Sequence, residues 1–151
     1  MTVSSFTVYS NSVLGITQGK VNLSSDTLVM ALLSASYTPA PDTHSTWANV
    51  SATEIASGLG YTQGGVVLTG QTDTLTGAVV TFTSNPVQWS AATFTAKYAV
   101  IVRRAGGALA GTDVLIGFVD LNSGGTTVVG QGGTFSISPS VNGWCQLSHT
   151  P

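Results

Sequence analysis

The chain has 151 residues, a formal net charge of −2, and only 7% charged side chains against 42% hydrophobic ones. This length suits one domain. The high hydrophobic content and the low net charge predict a folded rather than a disordered chain. Four cations are too few to neutralise the roughly six to ten phosphates of a nucleic-acid footprint. No apolar run reaches the roughly 18 residues of a membrane span. We therefore expect neither a nucleic-acid nor a membrane partner, and the single cysteine excludes an internal disulfide.

The low charge also describes the surface. A small soluble domain usually has roughly a quarter to a third of its surface charged. This chain must use hydroxyl and amide side chains instead. Such a neutral surface favours packing against other proteins, since little charge is desolvated there. A secreted or thermally tolerant β-domain would show the same composition, so both interpretations stay open.

Short β-branched and aromatic runs between glycine-rich turns predict strands along most of the chain. The run at 27–34 is apolar on both faces, which predicts a central strand. In 94–103, alternation predicts Phe94, Ala96, Tyr98, Val100 and Val102 on one face. The glycines before 134 predict a hairpin between the last two strands. The predicted strands are 27–34, 65–69, 79–83, 87–89, 94–103, 114–121, 126–129 and 134–138. The fold class is all-β, a single-domain antiparallel β-sandwich or jelly-roll-like barrel.

Two segments depart from the strand pattern. Residues 1–18 are predicted to form an N-terminal arm or a short helix near 9–16, ahead of a single β-domain at 19–151. Residues 37–61 are predicted to form a long, partly helical loop, in which Ser51 and Glu54 have capping-box spacing. The end of this loop is rich in glycine, which predicts a sharp structural turn with positive φ. The turn glycines are Gly58, Gly60, Gly64 and Gly65.

Candidate catalytic groups are few. The histidines are His44 and His149, and no G-x-S-x-G nucleophile motif is present. Asp42, His44 and Glu54 could meet across the loop, which leaves a metal site or an enzyme acting on a polymer as a minor alternative. Cys145 has no neighbouring cation in sequence to activate its thiol. We expect no catalytic residue, no metal and no cofactor.

Aromatic side chains raise a second alternative. Trp47, Trp89 and Trp144, together with the tyrosines, could form a sugar-stacking surface if their rings are exposed. The corresponding function is a tail or fibre component that binds host surface glycan.

Several motifs occur in an order that resembles a family of tailed-bacteriophage virion structural proteins. A strand leads into SYTP at 36–39, followed by DTH at 42–44 and ATEI at 52–55. GYTQGGVVL at 60–68 comes next, then a long strand, an arginine, a glycine-rich connection and a strand ending in aspartate within 94–121. GGTFSISPSVNGW at 132–144 closes the pattern. The resemblance covers about residues 23–144.

The resemblance implies a β-rich particle component without a catalytic site. From it we expect a capsid decoration (cement) protein on the virion surface, assembled in the host cytoplasm. Its partners would be the major capsid protein and copies of itself, as a homo-oligomer such as a trimer. The arm and the loop are the candidate contact segments, although both could simply close the ends of the β-domain. The candidate contact residues are Phe6, Val8, Tyr9, Tyr37, His44 and Trp47.

Overall fold

The computed structural model describes residues 4–148. Within that range the chain forms short strands, one α-helix of two turns, and two 3-10 turns. The predicted all-β class is confirmed. In chain order the elements are β1 (Thr7–Val8), α1 (Ser10–Thr17), β2 (Leu28–Leu33), 3-10 turns at Trp47–Asn49 and Ser51–Thr53, β3 (Val66–Val67), β4 (Thr72–Thr76), β5 (Val79–Thr83), β6 (Val87–Trp89), β7 (Thr95–Ala96), β8 (Tyr98–Arg103), β9 (Val114–Asp120), β10 (Val128–Val129), β11 (Phe135–Ile137) and β12 (Cys145–Ser148).

All strand pairings are antiparallel. The largest sheet has the order β1-β9-β8-β2-β3, and three smaller sheets pair β10 with β7, β11 with β6, and β12 with β5 and β4. β2 pairs with β8 along its whole length, from Leu28 opposite Arg103 to Leu33 opposite Tyr98. A register shift between Ile101 and Val102 places a bulge where β8 meets β9.

The core lies on both faces of β2, as predicted for a central strand. All six residues of β2 are buried. Met30 and Leu32 belong to one hydrophobic cluster, and Ala31 and Leu33 to another. The first cluster joins the large sheet to the smaller ones, and the second joins it to the N-terminal segment and the long loop. Small-sheet residues in the first cluster are Phe82, Val87, Trp89, Ala96, Val128 and Ile137, and the half-buried Phe135 and Cys145 pack against it.

The predicted strand at 94–103 is interrupted at Lys97. Phe94 and Ala96 lie in the first cluster, whereas Val100 lies in the second with Tyr98 packed against it. Val102 also lies in the second cluster, so the prediction that all five side chains share one face is wrong. Its physical reason is a change of partner, because β7 pairs with β10 while β8 pairs with β2 and β9.

The predicted hairpin between the strands at 126–129 and 134–138 is also wrong. β10 pairs with β7, and β11 pairs with β6. The segment between them is held against residues 92–94 instead. The N–H of Gly130 donates to the Phe94 carbonyl at 2.9 Å, and the N–H of Gly132 donates to the Ala92 carbonyl at 2.7 Å.

The N-terminal segment adopts the helical alternative. β1 pairs with the edge of β9, and α1 follows at Ser10–Thr17. The N–H of Tyr9 donates to the Ile116 carbonyl at 3.0 Å, which fixes the segment to the large sheet. In residues 4–148, no helix is both long and apolar enough to cross a membrane.

Candidate interaction surface

Three of the predicted contact residues lie in the chain's own core. Tyr9, Tyr37 and Trp47 are 0%, 3% and 6% exposed. The phenol oxygens of Tyr9 and Tyr37 are hydrogen-bonded at 2.7 Å. Burial raises the pKa of both phenols, so both stay protonated. The prediction that these side chains contact a neighbouring subunit is therefore corrected, because they close the second core cluster.

The other three contact candidates are half-buried. The ring of Phe6 packs on Trp144 with centroids 5.8 Å apart, and Val8 pairs with Gly117 of β9. His44 Nδ1 lies 3.3 Å from the Tyr37 hydroxyl. These contacts hold the N-terminal segment and the loop on the domain itself. A contact of Phe6, Val8 or His44 with another subunit stays a prediction.

The glycine turn has the predicted backbone conformation. The φ angles are +118° at Gly58, +87° at Gly60, +93° at Gly64 and +69° at Gly65. A Cβ on Gly65 would lie 2.2 Å from the Met30 carbonyl oxygen, so only glycine lets this turn approach β2. By contrast, Gly58 and Gly64 face open space.

Glu54 supports this turn rather than a helix cap. One carboxylate oxygen accepts hydrogen bonds from the Tyr61 hydroxyl at 2.6 Å and from the Gly64 N–H at 2.7 Å. The Tyr61 oxygen in turn accepts from the Leu32 N–H at 3.2 Å. The capping-box prediction for Ser51 and Glu54 is wrong, because the carboxylate is engaged by the turn that follows.

The groups considered for an enzyme or a metal site have separate partners. Asp42 accepts a hydrogen bond from the Ser10 hydroxyl at 2.6 Å, Glu54 is held by the turn, and His44 adjoins Tyr37. Among residues 4–148 there is no group of three or more histidine, cysteine or carboxylate side chains that could hold a metal ion. His149 lies outside the described residues.

Other charged side chains also bind inward. The Lys97 ammonium donates to the carbonyls of Asn122 at 2.6 Å and Gly125 at 2.8 Å, and lies 2.9 Å from an Asp120 carboxylate oxygen. It thereby closes the turn after β9. Arg103 likewise forms an ion pair with Asp26 at 2.7 Å.

The Asp113 side chain is likewise hydrogen-bonded within its own domain. It is 3% exposed, and its two oxygens accept from the N–H groups of Ala105 at 3.0 Å and Ala110 at 2.8 Å. The carboxylate therefore organises the connection between β8 and β9. Its hydrogen bonds compensate the cost of burying it.

The tryptophan rings do not form a stacking surface. Trp47, Trp89 and Trp144 are 6%, 3% and 6% exposed. The indole N–H of Trp144 donates to the Ser84 hydroxyl at 2.9 Å, as expected for a core residue. The sugar-stacking hypothesis required exposed rings, and these three are all in the interior.

The sheet β12-β5-β4 carries an exposed apolar row. Leu75, Val80 and Leu147 are cross-strand neighbours, so they lie on one face, and we call them the Leu75 row. Leu75 is 70% exposed, Leu147 is 38% exposed, and Val80 is half-buried. Phe82 points to the same face two residues further along β5 and is buried in the first core cluster. The Leu75 row therefore extends the core face into solvent.

A groove adjoins this row. Its volume is about 330 Å³, and Val80 and Leu147 form one side of it. Ile16, Val21 and Leu23, which follow from α1 toward β2, contribute further apolar lining. The Leu75 row and the groove together form an apolar surface next to the first core cluster.

Among residues 4–148, no strand pairs with the outer side of β4, which is a free sheet edge. All five residues of β4 are exposed, and β4 is the terminal strand of its sheet. Asp73 is the only charged residue on this strand. Natural proteins usually protect such an edge with charges, proline or bulges, because it pairs readily with another strand. A five-residue edge with one charge is therefore suited to docking.

Cys145 lies beside this surface. Its register partner is Phe82, which pairs in turn with Asp73. Burial, and secondarily the charge of Asp73, raises the pKa of the Cys145 thiol to about 11. The thiol is therefore protonated at neutral pH, in keeping with a structural cysteine.

We compared the chain with protein-family models, with curated proteins and with solved structures, and none of these comparisons finds a match.

Proposed function

We propose that this chain is a non-enzymatic virion structural protein, a capsid decoration protein that binds the major capsid protein and copies of itself. The observation that carries the proposal is the free edge of β4 with the exposed Leu75 row beside it. An apolar row on an unpaired edge is a surface for protein contact. Its location would be the capsid surface, after assembly in the host cytoplasm.

The distribution of charge supports this proposal. Glu54, Lys97 and Asp113 bind main-chain groups of their own domain. The outer surface that remains is largely neutral, and burying it against a shell desolvates few charges. Specific interfaces bury about 1,200–2,000 Å² in total, and a repeating shell adds many small contacts into stable attachment.

The glycan-binding alternative has less support. It was based on tryptophan rings, and all three rings are buried. The polymer-cleaving alternative was based on Asp42, His44 and Glu54, which contact separate structural partners. We therefore do not put either forward as the function.

The test uses capsids assembled without this chain. Purified protein is added to such shells, and binding is followed by co-sedimentation and by the melting temperature of the particle. We expect saturable binding and a shell that melts several degrees higher. The Leu75→Ser variant should bind more weakly, whereas the control Val141→Ser, which changes a 99%-exposed valine on the turn between β11 and β12, should bind normally. Absence of shell binding, together with antibody labelling of the tail, would refute the proposal.

A further inference from the structure

The free edge of β4 has main-chain groups available for another strand. β4 and β5 are joined by the two-residue loop Gly77 and Ala78, which makes Thr76 and Val79 a hydrogen-bonded pair. Hydrogen-bonded and non-hydrogen-bonded pairs alternate along antiparallel strands. The N–H and C=O groups of Asp73 and Leu75 therefore point away from β5, toward solvent.

We propose that β4 pairs antiparallel with β4 of a second copy of this chain, about a twofold axis at Leu75. The two three-stranded sheets then form one sheet of six strands. This inference rests on the proposed function, because it names the surface through which neighbouring copies join. Its test uses purified protein without a capsid, so the two ideas can fail separately.

The charge on β4 selects this register. An axis at Asp73 would place two carboxylates directly opposite each other, which destabilises a sheet. An axis at Thr74 would place each carboxylate opposite Leu75. With the axis at Leu75, each Asp73 lies opposite Gly77 of the other copy. The two carboxylates are then four residues out of register, about 13 Å apart along the strands.

The same register makes the apolar row continuous. Leu75 pairs with Val80, and Val80 with Leu147, within each copy. Placing Leu75 opposite its own symmetry mate joins two such rows end to end into six apolar side chains. On the other face, Thr74 lies opposite Thr76 of the second copy, and such threonine pairs stabilise sheets. The surface is therefore complementary to itself, as an isologous twofold contact requires.

The expected dimer is weak in dilute solution. A five-residue edge buries less than the roughly 1,200 Å² of a standard specific interface. Association should therefore depend on protein concentration, and should strengthen where many copies are held close together.

A cross-linking experiment tests the register. In a Cys145→Ser background, Leu75→Cys is compared with Asp73→Cys and Thr74→Cys under oxidised glutathione. Opposite Cα atoms in a hydrogen-bonded pair are about 5.5 Å apart, which suits a disulfide. We expect a covalent dimer from Leu75→Cys within the concentration range of association, and little from the other two. Preferential cross-linking at 73 or 74, or no cross-linking at all three, overturns the inference.

Sedimentation over a range of concentrations gives an independent measurement. Leu75→Pro removes an outward N–H without removing a hydrogen bond to β5, and Leu75→Lys places two ammonium groups opposite each other. Both should weaken dimerisation at least tenfold, whereas Val141→Lys should leave it unchanged. Circular dichroism confirms that each variant is folded. A wild-type monomer at all concentrations, or an oligomer that both Leu75 variants leave intact, overturns the inference.

Discussion

The glycine turn after the long loop offers a comparison among four chemically identical substitutions. Gly58, Gly60, Gly64 and Gly65 all have positive φ, so alanine is strained at each. They differ in what the added methyl group would meet. Gly58 and Gly64 face open space, whereas at Gly60 and Gly65 a Cβ would lie 2.6 Å and 2.2 Å from carbonyl oxygens. Replacing each by alanine separates backbone strain from steric overlap.

The expected free energies follow from these distances. An alanine near the left-handed region, as at Gly65, costs roughly 1–2 kcal/mol, whereas at Gly64 the strain of a φ of +93° should be nearly the whole effect. At Gly65 the methyl group also overlaps the Met30 carbonyl oxygen. Main-chain atoms cannot move aside as easily as the end of a flexible side chain. Forced overlap adds typically about 1–3 kcal/mol. We therefore expect a total of about 2–5 kcal/mol for Gly65→Ala, with Gly60→Ala also above the two open positions.

Urea unfolding of the four variants measures these values. The midpoint and slope of each curve give the free energy of unfolding, provided that the slope is unchanged. Gly58→Ala and Gly64→Ala serve as controls, because they also place alanine at positive φ but without the overlap. The reasoning is refuted if Gly65→Ala loses no more stability than Gly64→Ala.

Three further measurements concern groups inside the domain. Lys97→Met leaves the Asp120 carboxylate and two carbonyl oxygens without their cation. Urea unfolding should show a free energy of unfolding lower by about 2–4 kcal/mol, and adding Asp120→Leu should recover part of that loss. Tyr61→Phe removes the donor to Glu54 and should cost about 1–3 kcal/mol. Burial raises the pKa of Tyr61, so above about pH 10 the phenol ionises in the unfolded chain but not in the folded one, and wild-type stability should fall. Tyr61→Phe should show a smaller fall in stability over the same pH range. Equal falls in the two proteins would contradict the raised pKa. Alkylation of Cys145 by iodoacetamide should speed up about tenfold per pH unit until near pH 11, and a plateau near pH 8.5 would contradict the burial of its thiol.

The sequence predicted best those elements whose burial leaves a one-dimensional pattern. β2 is apolar on both faces and is an interior strand buried on both, and β6 was predicted with its observed bounds, Val87–Trp89. The hairpin β4-β5 was only half found. Because β4 is exposed on both faces, Thr72–Thr76 shows no alternation that a periodicity analysis could detect. A search for Gly77 as the first residue of a two-residue turn could have found it.

Strand pairing was less predictable than strand position. The face change at Lys97 depends on β7 and β8 having different partners, which are remote in sequence. The contact predictions for Tyr9, Tyr37 and Trp47 were wrong for a related reason. Tyr9 and Tyr37 are 28 residues apart, and only the folded chain shows that their hydroxyls meet in the interior. Leu75 carried no motif, and its importance comes from its neighbours on β5 and β12.

The turn that follows β9 is neutralised by a side chain of the same molecule. Lys97 supplies its positive charge to Asp120 and to two carbonyl oxygens, as a bound metal ion would in many loops. A metal ion dissociates from such a loop when the solution is diluted, whereas the Lys97 ammonium is covalently attached and stays in place. The geometry of this turn should thus be the same in a dilute lysate and in a chelating buffer.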